Sequence, residues 1–219
     1  MQQDLAEYAN GVKGQVRLLC NTTALSEYLP ELLADFLREH TNLDIDLQEL
    51  PSLRITQALR QGTADLGIIS DAVDTHGLQT LAFRDDPLVL IMPLEHPLAA
   101  STVSFIDSLH YDYVGLAAHS ALAVYLEEQA LHAGFRLQTR IRAEGFDGVM
   151  RMVARGAGLG IVPQAALARW PLEQRFKAQP LREDWACRTL LLCARSFEHL
   201  PGYARALLDA LALPLRKNP

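Results

Sequence analysis

Short hydroxyl, amide and charged side chains recur in this chain at one kind of place, the step from a short apolar run into an amphipathic one. Asn21-Thr22-Thr23 follows the first such run, Pro51-Ser52 the second and Ser70 the third, while His119-Ser120 and Glu144-Gly145-Phe146-Asp147 stand at two more. Where a strand hands over to a helix, the first helical turn carries backbone N–H groups without intrahelical partners, and these attract anions. A hydroxyl placed there can donate one further hydrogen bond, so the chemistry on offer is noncovalent capture of a small carboxylate. The same residues have a plainer use, because Thr23, Ser52 and Ser120 are of the types that cap helices. His119 can pair with an anionic ligand and make binding pH-sensitive, or stand as a solvent-facing loop residue. Glu144 suits a ligand amine or an arginine better than an anion.

Catalysis fits these residues poorly. His119 and Ser120 are adjacent and do not aim at each other, and the chain has no Gly-x-Ser-x-Gly elbow. Gly156-Ala157-Gly158-Leu159-Gly160 precedes an apolar run, whereas a dinucleotide fingerprint must follow a strand and open a helix. His110, His119 and His132 are spaced too widely to share a helix face as metal ligands. Neither a metal nor a cofactor is therefore expected. Cys20, Cys187 and Cys193 form an odd set without a CxxC pair, which suits a reducing cytoplasm. Cys20, at the end of the opening apolar run, is either a redox sensor or a small buried residue.

The elements that must position these residues follow from periodicity. The chain has 219 residues and is 49% hydrophobic and 21% charged, enough for one large domain or two small ones with real cores. Its net charge of −6 argues against a surface that grips a phosphate backbone directly. No apolar run approaches the roughly 18 residues of a membrane helix, and the first residues lack the pattern of a secretory signal. Val16, Leu18 and Cys20 mark a strand; Leu29, Leu32, Leu33, Phe36 and Leu37 mark an amphipathic helix with Pro30 in its first turn. Leu43, Ile45 and Leu47 alternate as a second strand. A short helix bearing Ile55, Ala58 and Leu59, with Ser52 as a cap and Gly62 as a stop, leads to the strand Asp65–Ile69. This βαβαβ order requires a parallel sheet with helical crossovers.

Leu78–Met92 reads as mostly extended and interrupted at Arg84-Asp85-Asp86-Pro87. A second α/β series follows: strand Tyr113–Leu116, helix Ser120–Ala133 ended by Gly134, strand Leu137–Ala143, helix Phe146–Arg155 and strand Leu159–Val162. Phe176–Pro180, a strand Thr189–Cys193 and a helix with Tyr203, Leu207, Leu208 and Leu211 remain over, and need the first sheet to join. The expected fold is α/β: two Rossmann-like lobes joined by two crossover strands, with ligands commonly bound in the cleft. Lobe I comprises 12–86 and 189–219, lobe II 87–188, and residues 1–11 end a preceding helix.

Five segments in order resemble the effector-binding domain of LysR-type transcription regulators: Gly14–Leu18, Leu29-Pro30-Glu31-Leu32-Leu33-Ala34-Asp35-Phe36, Leu59 to Ile68, Leu88–Ile91 with His96-Pro97-Leu98, and Val153 to Pro163. The resemblance covers essentially all of residues 12–212. It implies a type II periplasmic-binding-protein-like fold whose cleft holds a small, anionic effector. The positions lining that cleft would be Asn21, Thr22, Thr23, Pro51, Ser52, Ser70, His119, Ser120, Glu144 and Phe146. It also implies a cytoplasmic homodimer or higher homo-oligomer, paired through the helices after Leu25 and Ser120, with DNA met only by an N-terminal winged helix-turn-helix that this chain lacks. The alternative is a transport solute-binding protein of the same fold. About 60 to 90 preceding residues of helix-turn-helix character distinguish the regulator, and a signal peptide the transporter.

Overall fold

The computed structural model describes residues 14–100, 103–168, 170 and 176–213. The helix expected over Gln2–Asn10 lies outside the described residues. In chain order run β1 Gly14–Cys20, α1 Leu29–Glu39, β2 Leu43–Glu49, α2 Ser52–Gln61, β3 Leu66–Ser70 and β4 Gln79–Pro93. Then come α3 Phe105–Ser108, β5 Tyr113–Leu116, α4 Ala121–His132, β6 Thr139–Ala143, α5 Phe146–Ala154, β7 Gly160–Pro163 and α6 Gln164–Leu167. β8 Phe176–Pro180, β9 Cys187–Ala194 and α7 Gly202–Ala212 complete the order. The chain forms two compact units, passing from the first to the second at Arg84–Asp85 within β4 and back at Arg188–Thr189 within β9.

In the first unit β1 lies between β2 and β3 and is parallel to both, while β9 adds antiparallel to β3. β3 is buried throughout and β1 and β9 over most of their length, and their side chains sort by the two-residue period of a strand. Val16, Leu18, Leu66, Ile68, Leu190 and Leu192 share a core with Leu29, Leu33 and Phe36 of α1 and Leu207, Leu208 and Leu211 of α7. Leu19, Ile69 and Cys193 face the opposite way and pack with Ile55 and Leu59 of α2. Each fully buried Leu or Ile contributes about 1.5–3 kcal/mol relative to exposure. Gly67 occupies the α2 face of β3, where a Cβ would come within 2.6 Å of Ile55 and 2.9 Å of Leu59. Asp65 sets the start of β3: its carboxylate accepts from the Arg17 backbone N–H at 2.8 Å and the Arg17 guanidinium at 2.7 Å.

Two differences from the periodicity concern helix starts. The turns after β1 begin directly at Asn21, with a wide π-helical stretch over Ala24–Tyr28 before α1. Ser52 is the first residue of α2 rather than its cap, which is Pro51. Gly62 ends that helix with φ of 72°, as a left-handed C-cap requires.

In the second unit the later part of β4 pairs antiparallel with both β7 and β8, and β5 pairs parallel with β6. β5 is tied toward β7 where the Val114 N–H donates to the Leu159 carbonyl at 2.7 Å and the Leu159 N–H to the Asp112 carbonyl at 2.8 Å. That approach explains Gly158, whose φ is 152° and whose Cβ would stand 2.6 Å from the Asp112 carbonyl oxygen. The core gathers Leu90, Ile91, Phe105, Val114, Leu126, Val149, Met150, Val162 and Phe176.

The break expected at Arg84-Asp85-Asp86-Pro87 is absent: β4 runs unbroken for 15 residues. Asp86 is buried and ion-paired with Arg188 of β9, whose guanidinium lies 5.4 Å from the Tyr125 ring centre. A charge that the sequence sets at an interruption of the extended stretch is thus neutralised inside the second unit.

Two stability outcomes follow. Gly67→Ala lowers the unfolding free energy by about 1–3 kcal/mol, as overpacking does, measurable by urea denaturation. Asp86→Ala costs about 3–5 kcal/mol because the buried Arg188 loses its counter-carboxylate, whereas Asp86→Leu combined with Arg188→Met costs far less.

Candidate functional site

Parallel pairing brings the carboxyl ends of β1, β2 and β3 level. Cys20 stands opposite Glu49 on one side and Ile68 on the other, so the residues that follow each strand emerge along one edge of the sheet. Asn21, Thr22, Thr23 and Ser70 are all buried there. The Asn21 N–H donates to the Ile68 carbonyl at 3.2 Å, and the Leu50 N–H to the Cys20 carbonyl at 3.0 Å. Backbone contacts thus hold all three junctions of the first unit.

Side chains finish the arrangement. Asn21 Oδ1 accepts from the Ala24 N–H at 3.0 Å, which makes Asn21 the residue that caps the first turn. Thr23 makes no cap bond. The Thr22 hydroxyl donates to Glu49 Oε1 at 2.5 Å, so its single proton is committed within the protein. The Ser52 hydroxyl accepts from the Ser70 N–H at 3.0 Å, tying the start of α2 to the end of β3. Its own proton meets no acceptor among the described residues. Ser70 Oγ lies 3.4 Å from Asp71 Oδ1 and accepts from the Ala72 N–H at 3.3 Å. Pro51 contributes only its carbonyl, which accepts from Arg54 and Ile55 as α2 begins.

Glu49 belongs to this group and was missed. A signal was available: Leu43, Ile45 and Leu47 set the apolar phase of β2, and Glu49 falls on that phase. A charged residue at the last inward step of a strand has to find a partner at the strand's end.

The second unit repeats the theme with β5 and β6. Leu116 pairs with Ala143, and the Ala117 N–H donates to the Ala143 carbonyl at 2.9 Å, so His119-Ser120 and Glu144-Gly145 leave neighbouring strand ends. Ser120 is a buried cap whose hydroxyl accepts from the Ala123 N–H at 3.2 Å. His119 and Glu144 are exposed. Phe146 is placed otherwise than expected: it is the first residue of α5, and its ring is buried in the core with Val149 and Met150. Apolar area at a helix start is drawn under the helix, away from the strand ends.

The thiols do not supply chemistry here. Burial, and secondarily the charge of Glu49, pushes the Cys20 thiol up to about 12; burial alone does the same for Cys193. A thiol held protonated is a poor nucleophile. Among the described residues no group of His, Cys, Asp and Glu could hold a metal ion, and no helix is long and apolar enough to cross a membrane.

A model of the LysR substrate binding domain family matches residues 9–213. The chain belongs to that family. Similar curated proteins include the HTH-type transcriptional regulator AlsR of Bacillus subtilis (strain 168), 25% identical over 81% of this chain and 61% of the relative. Another is the HTH-type transcriptional regulator CatR of Pseudomonas putida, 26% identical over 84% of this chain and 64% of the relative. The chain therefore spans less than two thirds of the length of these regulators. Among solved structures, the regulatory domain of Synechocystis PCC6803 CcmR in complex with 2-PG has a TM-score of 0.71 at 20% identity, covering 91% of this chain and 96% of that one. The effector-binding domain of QuiR in complex with shikimate has a TM-score of 0.64 at 19% identity, covering 91% and 95%. The fold is the mixed α/β, type II periplasmic-binding-protein-like fold of these domains.

Two outcomes are expected. Ser120→Ala loses the α4 cap and destabilises the protein by about 1 kcal/mol in thermal or urea unfolding. Iodoacetamide at pH 8 alkylates Cys187, which is exposed, and spares Cys20 and Cys193 until the protein is denatured, as mass spectrometry reads. Because burial raises both thiols from 9 to about 12, the stability they contribute is complete below pH 9 and declines as pH climbs toward 12.

Proposed function

We propose that this chain is the effector-sensing part of a LysR-type transcription regulator and that it binds a small organic acid. The observation that carries this reading is the cluster at the carboxyl ends of β1, β2 and β3, where Asn21, Thr22, Ser52 and Ser70 are held by named hydrogen bonds at a helix start. Family membership over residues 9–213 supports it. The ligands named for similar structures, 2-PG and shikimate, are small acids. Ser52 supplies a hydroxyl proton beside the first N–H groups of α2, a combination suited to a carboxylate.

The regulator acts in the cytoplasm as a homodimer or larger homo-oligomer. It meets DNA through a helix-turn-helix part outside this chain, whose own net charge is −6. The partly exposed Leu37 of α1 and exposed Leu131 of α4 are candidate contacts between copies. An effector switches such a protein by binding one conformation or dimer geometry more tightly than another; equal affinity switches nothing. The relatives' names as transcriptional regulators favour this reading over a transport solute-binding protein.

Thermal unfolding in the presence of a library of small carboxylates, hydroxy acids and amino acids tests the proposal. A true effector at a hundredfold excess over its Kd adds about 2.7 kcal/mol, a rise in Tm of roughly 5–10 °C for a chain of this size. Ser52→Ala reduces that rise. If no acid raises Tm, the proposal fails.

A further inference from the structure

The second unit holds a recess beneath α4. It lies between that helix and the β5–β6 pair, walled by Val114, Gly115, Leu126 and Leu137, and has about 20 Å³ of room for the centre of a water molecule. A single ordered water needs roughly 10–15 Å³ on that measure. Two features of the strands leave the space open. Gly115 has no side chain there: an added Cβ would stand 2.9 Å from Thr139 Cγ2 and 3.5 Å from the Thr139 hydroxyl oxygen. The pairing also slips at the start of β6, where Thr139 stands opposite Tyr113 but Ile141 opposite Val114, so Arg140 is the extra residue of a bulge. Bulges re-aim the side chains beside them. Thr139 lines the recess; its hydroxyl oxygen is buried and, among the described residues, has no hydrogen-bond partner.

We propose that this recess is a binding site for one water molecule, held by the Thr139 hydroxyl and the Arg142 guanidinium. A buried hydroxyl without a partner forfeits the hydrogen bonds it makes in solvent, and one bridging water restores them. Arg142 is the second partner. Its Nη1 lies 3.8 Å from where the Cβ of residue 115 would stand, so the space over Gly115 is flanked by a hydroxyl and a guanidinium. Arg142 donates to the Leu116 carbonyl at 3.1 Å and to Glu127 Oε1 at 3.3 Å, and a guanidinium has five N–H groups in all. The water accepts from Arg142 and shares a second hydrogen bond with Thr139, whose hydroxyl can donate or accept. Glu127 belongs to α4, and Arg142 and Thr139 to β6. The water therefore extends the ion pair that joins helix to strand into a short polar network. A purely apolar void of this size would stay dry; these two polar groups set this one apart. The site is independent of the effector proposed above.

High-resolution crystal structures of the wild-type chain and of Thr139→Val test the site, with Tm measured for both. The wild type shows a water oxygen within hydrogen-bond distance, about 2.5–3.2 Å, of Thr139 Oγ1 and of an Arg142 nitrogen. Thr139→Val, which exchanges the hydroxyl for a methyl of the same shape, loses that water and has a lower Tm. A recess without solvent density in the wild type overturns the proposal. So does xenon occupying it in a pressurised crystal, since xenon enters dry apolar cavities. A Thr139→Val protein whose Tm equals or exceeds that of the wild type overturns it as well. Removing an unpartnered buried hydroxyl relieves a penalty, whereas removing a hydrated one gives up a hydrogen bond. The wild-type crystal is decisive even where the variant does not fold.

Discussion

The parallel register of three strands governs the first unit. With Cys20 level with both Glu49 and Ile68, chain segments separated by tens of residues deliver their following residues to one edge. Antiparallel neighbours would alternate strand starts and strand ends along that edge, and no such grouping would form. The burial of β1 and β3 on both faces holds this register, because a slip of one residue would exchange the α1/α7 face with the α2 face. Gly67 and Asp65 serve the same end. One lets α2 lie close to β3, and the other fixes where β3 begins against Arg17. The Asp-Leu-Gly-Ile element that carries much of the family resemblance is thus structural rather than ligand-facing.

Much of the fold was legible because buried parallel strands and amphipathic helices have different periods. β1 to β3, α1, α2, α4 and α5 all lie where periodicity set them, within one or two residues at the ends. The places where reading failed have a common physical origin. At Asp85-Asp86-Pro87 two acids and a proline signal a loop, yet β4 continues because a guanidinium more than 100 residues away neutralises Asp86. The π-helical stretch over Ala24–Tyr28 is a backbone feature that no side-chain pattern announces. Long-range compensation and backbone detail are invisible to local pattern.

The candidate site was legible by position more than by role. Asn21, Thr22, Ser52 and Ser70 follow the strand ends of the first unit and Ser120 follows a strand end of the second, each at the kind of junction where the pattern of apolar runs sets it. Which atom donates and which accepts depended on partners in other segments. Ser52 has the residue type of a cap and instead ties two junctions together. Thr22 has the type of a donor to ligand and instead gives its proton to Glu49. Phe146, adjacent in sequence to a junction, turned inward because a buried aromatic ring contributes more to the core than it could at a polar edge.

The buried pair of Asp86 and Arg188 also bears on how the chain finds its fold. The two residues are 102 positions apart and come together only when β9, one of the last strands made, lies against β4. Were β9 to settle one step out of line, Arg188 would turn to the other face and Asp86 would be sealed in apolar surroundings without a counter-charge. A misaligned strand of leucines alone would lose little. With this pair inside, incorrect threading is penalised at once, so the ions act as a proofreading lock on the return of the chain.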